Sequence, residues 1–219
     1  MGTAEDFAEF ARTHLRSLLD LSGKVLYSSA DTLREGSVYL LGHNPGGDPA
    51  RRVQNTIRAS LDTLPTKGTN DYIDESWGNR PAGTQPLQKR VRWLLESLRL
   101  DPRTVTASNL IFPRSLSTAG SSYSEFADMC WPVHEAILKI VKPRIVIAFG
   151  NSGDSPYTFL RRRFGPHLEH EFPSGHGSWR CRAFYVPQKF HIVGLPHLSR
   201  YDITAHPDVV ERVRSLGAL

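Results

Sequence analysis

Two hydrophobic rhythms alternate along this chain. Phe7, Phe10, Ala11, His14, Leu15, Leu18 and Leu19 recur at helical spacing, which predicts an amphipathic helix from about Ala4 to Asp20, closed by Ser22-Gly23. Ser37 to Leu41 is a short β-favouring apolar run that stops at Gly42 and leads straight into a Gly/Pro-rich loop, Gly42 to Pro49. From Leu61 to Pro86 the periodicity is lost. Gly, Pro, Thr, Asn and Asp surround Tyr72 and Trp77 there, and long irregular stretches of this kind are commonly functional. A helical pattern returns with Leu87, Val91, Leu94, Leu95 and Leu98, whose opposite face carries Lys89, Arg90 and Arg92. Thr104 to Phe112 is β-rich, and Tyr123 to Val141 reads as a helix kinked or bounded at Pro132. Arg144 to Phe149 is a fully apolar strand ending at Gly150, after which Asn151 to Pro156 can open another helix. Trp179 to Val186 and Phe190 to Gly194 read as two last strands around Pro187-Gln188, before a final helix after Pro207. Strands alternating with helices predict an α/β fold: three layers, α/β/α, around a central, mostly parallel sheet, in a single domain spanning residues 1–219.

Composition narrows the possibilities. With 219 residues and 39% hydrophobic content the chain can bury one sizeable core and is not disordered in bulk. Its longest apolar runs are strand-sized, far below the roughly 20 residues a membrane-spanning helix needs. Cys130 and Cys181 are too few for a disulfide framework or a four-thiolate cluster, and the first residues carry acids rather than a targeting pattern. A reduced, cytoplasmic protein is expected. Lys and Arg total 27 against 22 Asp and Glu, a formal charge of +5, which favours a polyanionic partner such as nucleic acid. The basic runs are Arg51-Arg52, Lys89-Arg90-Arg92, Arg161-Arg162-Arg163 and Arg180-Arg182. Singly, each is an ordinary solvated face, and only clustering near one loop edge would make them a DNA track.

In an open α/β sheet, ligands bind outside the carboxyl ends of the strands. Four strands here end in polar, Gly/Pro-rich segments: Gly42 to Pro49, Ser108 to Ser115, Gly150 to Ser155 and Leu195 to Tyr201. If parallel, they converge, and they bring an Asn on a Gly-rich backbone, a second Asn, hydroxyls with helix N-terminal amides, and a His with a Ser and an Arg. Taken singly, the glycines are tight turns and each loop Asn an Asx-turn.

Together these segments resemble the uracil-DNA glycosylase superfamily. Gly42-His43-Asn44-Pro45-Gly46 is similar to its first motif, in the Gly-x-Asn-Pro-Gly form of the mismatch-specific and single-strand-selective branches. His197-Leu198-Ser199-Arg200 is similar to its last motif, and Asn109, at the end of a middle strand, matches the base-reading Asn. The likeness runs from about Val38 to Tyr201 with the elements in the right order. Leu198 departs from the usual Pro, and His43 stands where relatives carry other residues. The branch with a four-cysteine iron–sulfur cluster is excluded by the cysteine count.

The resemblance implies a monofunctional DNA glycosylase that hydrolyses the N-glycosidic bond of uracil, or a related deaminated or damaged base, in single- or double-stranded DNA. It implies a monomer with no cofactor. Asn44 would position the water and His197 would donate to charge developing on the base. Gly42, His43, Pro45, Gly46 and Asn109 would bind the base, with Trp77 or Tyr72 stacking on it and Phe112 lining the pocket or filling the core. Ser199, Arg200 and Tyr201 would contact DNA, with Arg200 filling the vacated stack and Tyr201 able to share that task. An Asn cannot take a full proton as a carboxylate can, so slower chemistry is expected than with Asp; Asp48 is a second candidate for water activation, or simply a turn residue.

Three other readings compete. Gly150-Asn151-Ser152-Gly153-Asp154 follows a strand as a serine hydrolase's nucleophile elbow would, but Asp154 stands where Gly is required, and Ser152 reads better as a helix cap. His167, Glu169, His170, Glu171 and His176 crowd one segment without metal-site spacing, which suggests a polar loop or edge strand and no metal site. A glycosylase-like module that binds modified or single-stranded DNA without cleaving it is the third, with Leu198 as the residue where catalysis would have been lost.

Overall fold

The computed structural model describes residues 2–51, 54–115, 122–165 and 168–219. The strands are β1 (Val38–Gly42), β2 (Thr106–Asn109), β3 (Ile145–Phe149), β4 (Glu169–Pro173), β5 (Arg180–Val186) and β6 (Phe190–Leu195), all but β4 falling on runs expected to be β. They form one six-stranded sheet in the order β2-β1-β3-β6-β5-β4. β2, β1, β3 and β6 run parallel, with Gly42 beside Asn109 and Phe149 beside Leu195, while β5 and β4 extend the sheet antiparallel.

Successive residues of a strand point to opposite faces, and both faces here are covered. Tyr39, Leu41, Val146 and Ala148 pack with α1 (Ala4–His14), α2 (Ile57–Thr63), α4 (Ser122–Val141) and α5 (Pro156–Phe164). Val38, Leu40, Ile145 and Ile147 pack with α3 (Pro86–Ser97) and α6 (Pro207–Gly217). Each Leu, Ile or Val so buried contributes about 1.5–3 kcal/mol. This is the expected α/β architecture with helices on both sides of a mostly parallel sheet.

Local differences have physical causes. α1 stops at His14, and the apolar positions beyond it continue in a 3-10 turn, Arg16–Leu18. α4 runs through Pro132 without ending there. β4 is a polar edge strand, so it lacks the apolar run that marks a buried one. α2 begins ahead of the irregular stretch, capped by Thr56. No helix of the described residues is long and apolar enough to cross a membrane.

From β1 the chain winds out to β2, then crosses back to β3 on the other side of β1. Such a reversal opens a crevice at the carboxyl ends of the strands. Behind it, His134 is fully buried between Tyr39 and Leu110. The Leu110 carbonyl can only accept, so Nε2 donates to it at 2.9 Å and Nδ1 accepts from the Tyr39 hydroxyl at 2.8 Å. Burial pushes this imidazole down to about 4. The unfolded chain therefore binds protons that the folded one refuses, and stability falls as pH drops from about 6.5 toward 4. Denaturant unfolding at neutral and mildly acid pH should show this loss, with a shallower slope in His134→Gln; equal slopes would refute the assignment.

Candidate active site

A cleft of about 1350 Å³ opens along the carboxyl edge of the parallel strands. Its lining draws on all four strand ends: Gly42, His43 and Asn44 after β1, Asn109 at the end of β2, Phe149 and Gly150 from β3, and Pro196 and His197 after β6.

The Asn44 amide donates to the Pro45 carbonyl at 3.0 Å and to Ser115 Oγ at 2.9 Å. A carbonyl can only accept, so the NH₂ faces Pro45 and Oδ1 is left as a free acceptor among the described residues. Pro45, expected to bind the base, is buried and does not line the cleft, and its carbonyl holds Asn44. Gly46 lines the cleft, and its carbonyl accepts from Arg114. Asp48 accepts from the Ala50 amide at 3.0 Å in a local turn, outside the lining.

Asn109 is buried beside Gly42, and its carboxamide makes no hydrogen bond among the described residues. A Cβ on Gly42 would lie 1.9 Å from Asn109 Oδ1, so the glycine is the space that this side chain occupies. The His43 imidazole packs edge-on against Tyr123, ring centres 4.7 Å apart, and 6.3 Å from His197. Its Nε2 is buried without a partner among the described residues. Burial, then the His197 charge, hold it down at about 4, so it is neutral at physiological pH.

His197 Nδ1 lies 3.2 Å from the Ser199 backbone N–H and 2.8 Å from Ser199 Oγ. An N–H can only donate, so Nδ1 is the acceptor and the neutral ring carries its proton on Nε2. Nε2 has no partner among the described residues. Burial lowers the His197 pKa, and the Arg200 charge acts the same way. Leu198 is wholly buried in the core, and Arg90 on α3 grips the turn from behind, donating to the Leu198 and Ser199 carbonyls at 2.8 and 3.1 Å and lying 3.3 Å from Asp202. Ser199 is thus committed to His197. Arg200 is exposed on the cleft lining with no ion pair among the described residues.

Tyr201, expected to contact DNA, does not present its side chain to the cleft. It is wholly buried, its hydroxyl donating to the Ser174 carbonyl and its ring stacked on His206. Phe112 belongs to the core, against His134. Trp77 is half-buried on the lining and Tyr72 buried there; with Tyr27 they form an aromatic wall, and the indole N–H donates to Glu75 at 2.9 Å. Lys24, from the same wall, is paired with Asp71 and Glu75. Tyr27, Lys24 and Phe149 carry no motif signal. Tyr27 and Lys24 reach the cleft through tertiary packing, and Phe149 reaches it as the last residue of β3.

Among the described residues of the basic runs, only Arg180 and Arg182 line the cleft, Arg182 paired with Glu171. Arg92 donates to the Gly83 carbonyl, Arg161 and Arg163 pair with Glu169 and Glu135, and the side chains of Arg51 and Arg52 lie outside the described residues. Ser155, not Ser152, caps α5, and the helix starts only at Pro156, too far on to make Ser152 an elbow nucleophile. In the acidic and histidine-rich segment Glu169 accepts from Tyr157, Glu171 pairs with Arg182 and His176 packs on Trp179, while His167 lies outside the described residues. Among the described residues no group of three or more His, Cys, Asp or Glu is placed to hold a metal ion.

No protein-family model matches this chain and no curated protein matches it, so the reading of the cleft rests on its own residues and the motif resemblance. Gly42→Ala should turn the Asn109 carboxamide out of place while leaving the fold intact. The Asn109 side-chain amide resonances would shift with little change in melting temperature; unshifted resonances would contradict the packing described.

Proposed function

We propose that this protein is a monofunctional DNA glycosylase that hydrolyses the N-glycosidic bond of uracil, or a related deaminated or damaged base, in single- or double-stranded DNA. It acts as a cytoplasmic monomer, uses no metal, nucleotide or redox cofactor, and leaves an abasic site. One observation carries this reading: Asn44, Asn109 and His197 come from three different strand ends to one cleft with free hydrogen-bonding atoms of three complementary kinds.

In the proposed reaction the bond between sugar C1′ and base N1 breaks with its electron pair leaving on the base. Negative charge gathers on the base oxygen, where the His197 Nε2–H donates to it. A donor held in place before the charge appears stabilises the transition state without reorganisation. Asn109 offers its amide donor and acceptor to the complementary edge of uracil. Water, accepted by Asn44 Oδ1, adds to the oxocarbenium carbon; its proton passes to solvent, and the departing base takes one up. Because Asn44 orients rather than deprotonates this water, the rate depends on how far the glycosidic bond has already broken. A base in a duplex must leave the stack to reach these groups, and Arg200 at the rim fills the gap or holds a phosphate.

The test is base release, in EDTA, from single-stranded and duplex oligonucleotides carrying one uracil, hypoxanthine or xanthine. Wild type should release a base, and Asn44→Ala and His197→Ala should each lose about a hundredfold or more with DNA affinity little changed. Release at wild-type rates by both variants would overturn the site assignment. DNA binding without any release would favour the non-catalytic reader, for which Leu198 in the last motif is the specific support.

A further inference from the structure

Of the large apolar side chains that stand exposed among the described residues, Leu21, Leu168, Trp179 and Tyr185, only Trp179 lines the cleft. It is 39% exposed, at the end of the turn that joins β4 to β5.

That turn is rigidly built. The Trp179 carbonyl accepts from the Ser174 amide at 3.2 Å and from Ser174 Oγ at 2.8 Å, and the Trp179 amide donates to the His176 carbonyl at 3.0 Å. The His176 amide closes the loop onto Ser174 Oγ. Underneath, the Tyr201 hydroxyl holds the Ser174 carbonyl, and Gly175, at φ +79°, rests so near His206 that a Cβ there would lie 2.3 Å from its ring nitrogen. Tyr201 and His206 are themselves stacked, 5.4 Å apart and 9° from parallel. The His176 ring supports the indole at 4.7 Å. A partly exposed indole held this way loses little conformational freedom when something stacks on it.

The surroundings point to an anionic, base-bearing ligand. Among the described residues the cleft lining carries Lys24, Arg114, Arg180, Arg182 and Arg200 against the carboxylates of Glu75 and Asp154 alone. Arg180 follows Trp179 directly, and Arg200 precedes the Tyr201 that holds the turn; both are exposed and neither has an ion pair among the described residues. An exposed aromatic face that shares one lining with cations carrying no ion pair among the described residues suits the alternation of base and phosphate along a single strand.

We propose that Trp179 is a stacking platform for an unpaired base of single-stranded DNA beside the nucleotide held in the cleft, with Arg180 and Arg200 receiving the flanking phosphates. This rests on the reading of the cleft as a DNA site, and it does not require that the bound strand be cleaved. Tyr201 serves it indirectly, by fixing the turn.

The test uses two fluorescein-labelled single strands of equal length, one of natural bases without uracil and one of abasic sugar–phosphate units, with affinity read by anisotropy. Trp179→Leu, which keeps apolar bulk but has no π face, should weaken binding of the natural strand about tenfold, the size of one base–aromatic stack, and should leave the abasic strand unaffected. Trp179→Phe should recover most of the loss, with melting temperatures of both variants near wild type. Equal loss on both strands, no loss on either, or failure of the wild type to bind the natural strand would each overturn the proposal. Failure of the glycosylase reading would show separately, as absent base release.

Discussion

Parallel pairing of β2, β1, β3 and β6 forces four carboxyl ends onto one edge, and the cleft follows from that constraint. The loops that leave the edge stay tied to one another. The Leu110 and Ile111 amides donate to the Gly42 and His43 carbonyls at 2.9 and 3.1 Å, prolonging the β1–β2 pairing beyond the strands, and Asn44 and Arg114 close the two loops further on. On the far side, the Gly150 amide donates to Leu195 at 2.8 Å, and Asn151 bridges the Gly194 and Arg180 carbonyls. Asn109 is therefore held by the sheet itself, while Asn44 and His197 stand two residues beyond their strands, fixed by Ser115 and by the Arg90 grip on the turn, so that their spacing follows from the fold and its tied loops.

Charge is distributed to the same plan. The centre of the cleft is uncharged: two amides and two imidazoles that burial keeps neutral. Cations stand around it, some free, like Arg200, and some paired, like Lys24. A neutral centre suits charge that appears only during bond breaking, whereas a cationic rim suits a ligand that arrives already charged. Arg90 belongs to neither group. Its guanidinium serves two carbonyls of the His197 turn, while Leu198 is driven into the core, so the turn is held from behind.

The layered fold was legible in the sequence because its central strands β1 and β3 are buried on both faces and read as unbroken apolar runs closed by Gly42 and Gly150. β4 was legible only as a polar loop or an edge strand, since a polar edge strand has the composition of a loop. The groups around the cleft were legible where a strand end delivers them, as with Asn44, Asn109 and His197. Sequence neighbours of a motif were less so: Tyr201 follows exposed Arg200 yet lies in the core, its hydroxyl on the Ser174 carbonyl. Arg90 and Arg92 look like a basic face and turn out to serve backbone carbonyls, which depends on α3 packing against distant loops. Trp179 and Tyr27 reach the cleft by tertiary packing alone, and no spacing in the chain announces them.

The most direct measurement is a crystal structure of the His197→Ala variant bound to a single strand containing one deoxyuridine. The uracil edge should lie on the Asn109 carboxamide, with sugar C1′ turned toward Asn44 Oδ1. A strand bound on another face of the protein, or a uracil left outside the cleft, would contradict the central claim.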